Sequence, residues 1–467
     1  MDHIITTNLG IAKSDDNRFV VPLYKGHPAS KPVPVIPLKL DHQAHNGLPI
    51  KNPNVLVIGG CAAGKTYRYI EPNILNETNS LVIFDPYCDI MARTGKALEK
   101  KGYRIRVFNP SFKSNFYNPF FNFNKARSVY DDIPEFVEVF WKASQLSEVD
   151  ETAKLLLQAI MFYVFFNEPV DTRHLNTVSE LICLLGNEQG ITTLDKKFHR
   201  FAKAYPSSVV NYLWTHCRSS KHFESACKAL VDQAYKRLPH PDFVPGQPHP
   251  DFFPWDGHAI TKDTMNLPKI TAQHFGEKTA IFIQTPSELS YLAVTMICQI
   301  IRLAKNRFGL EDPQMWGTPI RFYLDEFANL GIPESYVRDF IWFPHYNMSV
   351  SAIVQAVEQL KMLYPHIPEL INDWGVVAYF GGARGDTTGY ISSLIGVREN
   401  DPPKVRRGRP RKAKPAMILT PQDLQFMEHN KALVLLRNNG GLMAFIDEKV
   451  PGVSYSAKQE ELLHRKL

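Results

Sequence analysis

The sequence predicts an α/β fold, a mostly parallel sheet interrupted by an all-α domain, and three observations carry that reading. Short apolar runs alternate with helical patterns through most of the 467 residues. Several of those runs are continuously apolar rather than alternating, as strands covered on both faces are. Between about residues 110 and 270 the alternation stops and helical patterns continue almost alone.

The strand candidates, in order, are Val55–Ile58, 81–84, 105–108, 279–284, Ile320–Leu324, 350–354, 376–380 and 432–436. Helical patterns at 134–142, 151–166, 177–185 and 225–238 fill the interruption. The chain therefore divides into an N-terminal extension (1–50) packing on the core, a first α/β part (51–124), an all-α insertion (125–268) and a second α/β part (269–467). A proline-rich stretch at 239–254 repeats Pro-His-Pro-Asp-Phe. It reads as a stiff surface loop, with a His/Asp metal site as the alternative.

Bulk composition excludes several classes. A hydrophobic share of 44% against 21% charged is that of a globular chain, not a disordered one. The net charge of +6 is too mild to identify a nucleic-acid binder alone. Six cysteines without a Cys-x-x-Cys pair argue against a disulfide framework or zinc ribbon and fit a reducing cytosol. Residues 1–10 lack the basic and apolar regions of a signal peptide. The apolar stretches 155–166 and 289–304 fall short of the roughly 20 apolar residues of a membrane span and read as buried helices, so the chain is expected to be soluble.

Gly59-Gly60-Cys61-Ala62-Ala63-Gly64-Lys65-Thr66 fits G-x-x-x-x-G-K-[ST] directly after the apolar run Val55–Ile58. Small residues let backbone N–H groups wrap phosphates, and a following helix turns its positive end to them. Lys65 would reach the β- and γ-phosphates of ATP, and the Thr66 hydroxyl would ligate Mg2+. A chance glycine-rich turn is the alternative; the strand before it and the short helix expected until Pro72 speak against that.

The run Arg321-Phe322-Tyr323-Leu324 ends in Asp325-Glu326. Asp325 would hold Mg2+ through its water shell, and Glu326 would orient the attacking water or take its proton. Gln355 ends the next strand, where RecA-like ATPases carry a glutamine that senses the γ-phosphate. Together these elements describe a RecA-like P-loop NTPase.

Further segments resemble the type IV coupling proteins of the TraG/TraD class. They include Asp85-Pro86, Val107-Phe108-Asn109-Pro110, Tyr117-Asn118-Pro119, the long run Phe322 to Gly331 (FYLDEFANLG), Ser349 to Gln355, Gln359-Leu360-Lys361, Gly381-Gly382 and Leu419-Thr420-Pro421. The matches run in order over roughly residues 50–440. The resemblance implies an ATP-dependent coupling protein that recruits DNA, single- or double-stranded, and relaxase (the relaxosome) into a conjugative secretion channel. It also implies contacts with channel components, a homo-oligomer, expected as a hexamer, and a place at the cytoplasmic face of the bacterial inner membrane.

Three departures stand out. The N-terminal transmembrane helices usual in the family find no counterpart, so either the chain is truncated or a membrane-anchoring partner replaces them. Tyr87-Cys88-Asp89 stands where Lys-Gly-Glu usually follows Asp-Pro. Phe343 to Asn347 lacks the usual arginine; if that stretch supplies a finger worth about 10³–10⁵ in rate in relatives, this chain either uses another arginine or hydrolyses slowly. Arg338 and Arg384 are substitutes to test against the reading of each as a surface or structural arginine.

A basic loop at 402–416 holds seven cations between Lys404 and Lys414. Arg406, Arg407, Arg409, Arg411 and Lys412 are its candidate DNA contacts. Its Arg-Gly-Arg-Pro centre resembles an AT-hook, which seats an extended backbone in a narrow minor groove; sequence-blind phosphate binding is the alternative. Two rival functions stay open: a receptor of the same fold that binds ATP without turnover, and an FtsK-like translocase on duplex DNA.

Overall fold

The computed structural model describes residues 4–5, 52–111, 114–123, 129–141, 147–238, 260–268, 277–307, 318–366, 374–396, 417, 419–427, 431–438 and 441–448. Ten strands lie among them: β1 (Ile4–Ile5), β2 (Val55–Ile58), β3 (Ser80–Phe84), β4 (Arg104–Phe108), β5 (Thr279–Ile283), β6 (Ile320–Leu324), β7 (Met348–Val354), β8 (Val376–Tyr379), β9 (Lys431–Asn438) and β10 (Gly441–Glu448). They form one sheet in the order β1-β10-β9-β8-β2-β7-β6-β3-β5-β4. From β8 through β2, β7 and β6 to β3 the pairing is parallel. β9, β10 and β1 close that side in antiparallel pairs.

The order explains the composition. β2, β3, β6, β7 and β8 are buried along their whole length, so both faces must be apolar. It also explains the site. β7 lies between β2 and β6, with Ile58 opposite Val354 and Leu324 opposite Ala352. The chain therefore leaves three neighbouring strands at one edge, where open α/β sheets bind ligands.

The chain divides into two compact units, one of Met1–Ile105, Gln273–Ile281 and Phe308–Leu467, the other of Arg106–Ala272 and Phe282–Arg307. The first holds most of the sheet, with α1 (Glu71–Asn76) and α2 (Asp89–Lys100). The second is built on α3 (Val129–Phe140), α4 (Glu148–Asn167), α5 (Leu175–Cys183), α6 (Glu188–Ala204), α7 (Val209–Ser219), α8 (Phe223–Arg237) and α9 (Ser290–Arg307).

In the helical unit α4 is apolar almost all round and buried by α5, α7 and α8. Ser147 caps it, accepting from the Asp150 N–H while Asp150 accepts from the Ser147 N–H. Trp214 stacks on Phe198 at 4.3 Å and donates its indole N–H to Asp195. Ser287–Asn306 is long and apolar enough to cross a membrane, and it is mostly buried.

The helical unit is larger than the expected 125–268 insertion, because it begins at Arg106 and takes α9 as well. Tyr291 of α9 sets its ring edge-on to Phe136 and Phe140 of α3, and Arg302 pairs with Asp132 and Glu135. An apolar helix finds its burial there. Helices α6 and α7 and strand β10 were also not among the expected elements. Of the 1–50 extension only Ile4 and Ile5 are described, opposite Phe445 and Ala444. The proline-rich 239–254 and basic 402–416 loops lie outside the described residues.

Candidate active site

The phosphate loop follows β2 and is pinned from both sides. The Gly59 N–H donates to the Val354 carbonyl of β7 at 3.3 Å, and the Gly60 N–H to the Gly381 carbonyl beyond β8 at 2.9 Å. Gly60 must be glycine, because a Cβ there would stand 2.4 Å from the Gly382 oxygen. Ala62 and Gly64 adopt positive φ and turn the loop, and the Ala63 N–H closes it on the Gly60 carbonyl. The Arg68 N–H closes the next turn on the Gly64 carbonyl at 2.8 Å, and in a loop of this pattern the amides between Gly60 and Lys65 are the groups that would meet an anion.

That helix opens with a π turn over Thr66–Ile70, in which the Glu71 N–H reaches the Thr66 carbonyl. Pro72 has no N–H and would clash with the carbonyl four residues back in a regular helix. Widening the preceding turn lets α1 run on through Pro72 to Asn76, where sequence alone predicts a disturbance.

Lys65 is buried, and its ammonium donates to the Gly59 and Gly60 carbonyls at 2.7 and 3.0 Å. Burial lowers its pKa, against the opposing pull of Glu326 and Asp325. Asp325 directly follows β6, with 3% exposure. Its Oδ2 accepts from the Thr66 hydroxyl at 2.9 Å, and its Oδ1 from the Glu326 N–H at 3.1 Å. Burial pushes the Asp325 carboxyl up to about 7, with the Thr66 hydrogen bond opposing and the Glu326 charge adding to it.

Glu326 sits at φ 49°, in the left-handed region that costs a non-glycine residue about 1–2 kcal/mol. Phe327 and Leu330, buried in the short helix Phe327–Leu330, hold it there, and Gly331 at φ 65° ends that helix. Thus each position of Asp-Glu-Phe-Ala-Asn-Leu-Gly that matters has a geometric task. The Gln355 amide donates to both Glu326 oxygens at 3.3 and 3.2 Å, and Gln359 accepts the Gln355 N–H.

The fold thus brings together Lys65, Thr66, Asp325, Glu326 and Gln355. Arg338, a candidate finger, is engaged within its own chain by the His366 carbonyl and Glu334. Arg384 is exposed in the turn that follows Gly382. Asp85, known only from the family pattern, caps α2 by accepting from the Ile90 and Met91 N–H groups. Sequence reasoning did not single out Tyr87 as a site residue. Its exposed phenol is raised by burial of its inner edge and then by the Glu326 and Asp325 charges. Arg406, Arg407, Arg409, Arg411 and Lys412 lie outside the described residues.

Two family models match the chain: residues 15–209 match "Type IV secretory system Conjugative DNA transfer", and residues 319–428 match "TraM recognition site of TraD and TraG". No curated protein matches it. Among solved structures, bacterial conjugative coupling protein TrwBdeltaN70 in complex with sulphate aligns with a TM-score of 0.60 at 16% identity, over 86% of this chain and 87% of that one. TrwB with the ATP analogue ADPNP gives 0.58 at 16% over 86% and 87%, and TrwB with ADP and Mg2+ gives 0.57 at 16% over 88% and 89%. At that identity the likeness establishes a shared fold, the RecA-like P-loop architecture interrupted by helices.

Proposed function

This chain belongs to the type IV coupling proteins of the TraG/TraD class and serves conjugative DNA transfer, and from that premise we propose that it is an Mg2+-dependent ATPase driving DNA with its relaxase into the secretion channel. The observation that carries the enzymatic part is the 2.9 Å hydrogen bond from Thr66 to Asp325, which joins residues 259 apart in sequence. A hydroxyl and a carboxylate side by side are hard oxygen donors suited to Mg2+. Among the described residues no group of three His, Cys, Asp or Glu forms an all-protein metal cage. One carboxylate plus one hydroxyl fits an ion that completes its shell with water and phosphate.

Thr66 and Asp325 would hold Mg2+, which when bound would supply charge neutralisation at the transferring phosphate. The chain's own groups do the rest. Lys65 exchanges loop carbonyls for phosphate oxygens, and backbone amides of the loop cradle the anion. Glu326 orients water and accepts its proton. Gln355, hydrogen-bonded to Glu326, links the state of the site to β7. A homo-hexamer at the cytoplasmic face of the membrane, with relaxase docking on the helical unit and the basic loop following DNA, is the assembly this reading implies.

The test is the ATPase rate of the purified protein with Mg2+, with and without single-stranded and duplex DNA, at concentrations spanning assembly. Turnover that DNA stimulates and that Lys65→Ala and Glu326→Gln remove is expected. Nucleotide binding with no turnover above those variants would sink the motor and leave a receptor.

A further inference from the structure

Arg321 is the second residue of β6 with 0% exposure, in a strand otherwise made of apolar and aromatic residues. A charge so buried is costly unless partners hold it. Its Nε lies 3.4 Å from Glu77 Oε1, its Nη2 3.5 Å from Ser351 Oγ, and its guanidinium 5.6 Å from the Tyr323 ring centroid. The Tyr323 hydroxyl donates to the same Glu77 oxygen at 3.2 Å, and Tyr69 and Ser351 share a hydrogen bond of 3.1 Å.

The chain positions give the cluster its meaning. Tyr69 lies in the π turn, three residues after Thr66, and Glu77 directly follows α1. Arg321 precedes Asp325 by four residues on β6, and Ser351 precedes Gln355 by four on β7. The three segments that carry the site therefore meet a second time through directional polar contacts. Apolar packing would tolerate a slide of a methyl's width; hydrogen bonds between a phenol, a hydroxyl and a guanidinium do not.

We propose that Tyr69, Ser351, Arg321 and Glu77 form a positioning device that holds the Thr66 turn in register with Asp325, and so sets how strongly Mg2+ tightens nucleotide binding. This rests on the nucleotide reading above. Without the tie, the wide π turn shifts, Thr66 and Asp325 no longer bind one ion together, and the loop before Lys65, pinned by the Val354 and Gly381 carbonyls, keeps its place.

Tyr69→Phe removes the phenol end of the Tyr69–Ser351 hydrogen bond, and Ser351→Ala removes that bond together with the Arg321 Nη2 contact, while Glu77 keeps the guanidinium paired. In nucleotide-free protein, amide exchange over 66–76 should be at least fivefold faster in either variant, and the double variant no faster than Ser351→Ala alone. Affinity for ATP in EDTA should stay within twofold of wild type, while the extra tightening given by Mg2+ falls at least fivefold. Unchanged exchange, additive effects in the double variant, or equal losses with and without Mg2+ would overturn the proposal. Wild-type protein that binds no ATP would instead sink the nucleotide reading, and the exchange measurement would still decide the tie.

Discussion

Gln355 donates its side-chain amide to both carboxylate oxygens of Glu326, at 3.3 and 3.2 Å. The amide that would sense a phosphate is thus occupied by the residue that would activate water. Release of one would free the other, which would give a route from the site to β7. Glu326→Gln should lower single-turnover hydrolysis by about 10²–10⁴ while leaving ATP affinity within a few-fold. Gln355→Ala should keep basal hydrolysis but lose the response to DNA. A Glu326→Gln protein with normal turnover would remove Glu326 from the mechanism.

Asp325 supplies a pH dependence whose sign differs from that of an ordinary paired carboxylate. Its folded value of about 7 lies above its unfolded value, here through burial. Such a group contributes stability fully below pH about 4, and that contribution is lost as pH rises through 7. Nucleotide-free protein should therefore melt lower at pH 8 than at pH 6 through this group, and Asp325→Asn should flatten the difference and raise Tm at pH 8. Because Mg2+ needs the ionised form, its affinity should fall about tenfold per pH unit below 7. Calorimetry of both proteins between pH 5 and 8, with and without Mg2+, reads all of this.

Much of the site was legible because its signals are local. Gly59 to Thr66 after Val55–Ile58, and Asp325-Glu326 at the end of an apolar strand, need only neighbouring residues to be read. What was hidden depends on strand order. Thr66 meets Asp325 because β7 and β6 stand between β2 and β3, and apolar runs do not encode who pairs with whom. The same holds for Arg321: an arginine inside an apolar strand is visible as an oddity, yet Glu77 as its partner is not. β10 had a readable signal in Asn439-Gly440, a hairpin pair between two apolar runs. α6 was masked by its polar surface, although its buried Leu194, Phe198 and Phe201 keep helical spacing.

The fit of Gly60 against Gly382 can be read by contrast with a second glycine. At Gly60 an added Cβ would stand 2.4 Å from a backbone oxygen, so loop or turn must move. Gly60→Ala should cost about 1–3 kcal/mol and weaken ATP binding at least tenfold. At Gly95, inside α2, the same atom meets only the Met91 side chain at 3.8 Å. Gly95→Ala should stabilise by about 0.5–1 kcal/mol, since alanine loses less entropy on entering a helix. Equal behaviour of the two variants in thermal and nucleotide titrations would remove the steric argument.

The basic loop makes a prediction that turns on charge alone. Seven cations lie between Lys404 and Lys414 with no acid among them. Each phosphate they neutralise releases counterions and steepens the log–log salt dependence of DNA affinity by about 0.9 on duplex and about 0.7 on single strands. Deleting 404–414 should therefore flatten the slope on duplex DNA by up to about 6, with the loss growing toward low salt. If the Arg407-Gly408-Arg409-Pro410 centre also enters a minor groove, Gly408→Val should remove a preference for A·T-rich duplex while keeping most of the slope. A deletion that leaves the slope unchanged would take the loop out of DNA binding altogether, whatever the ATPase does.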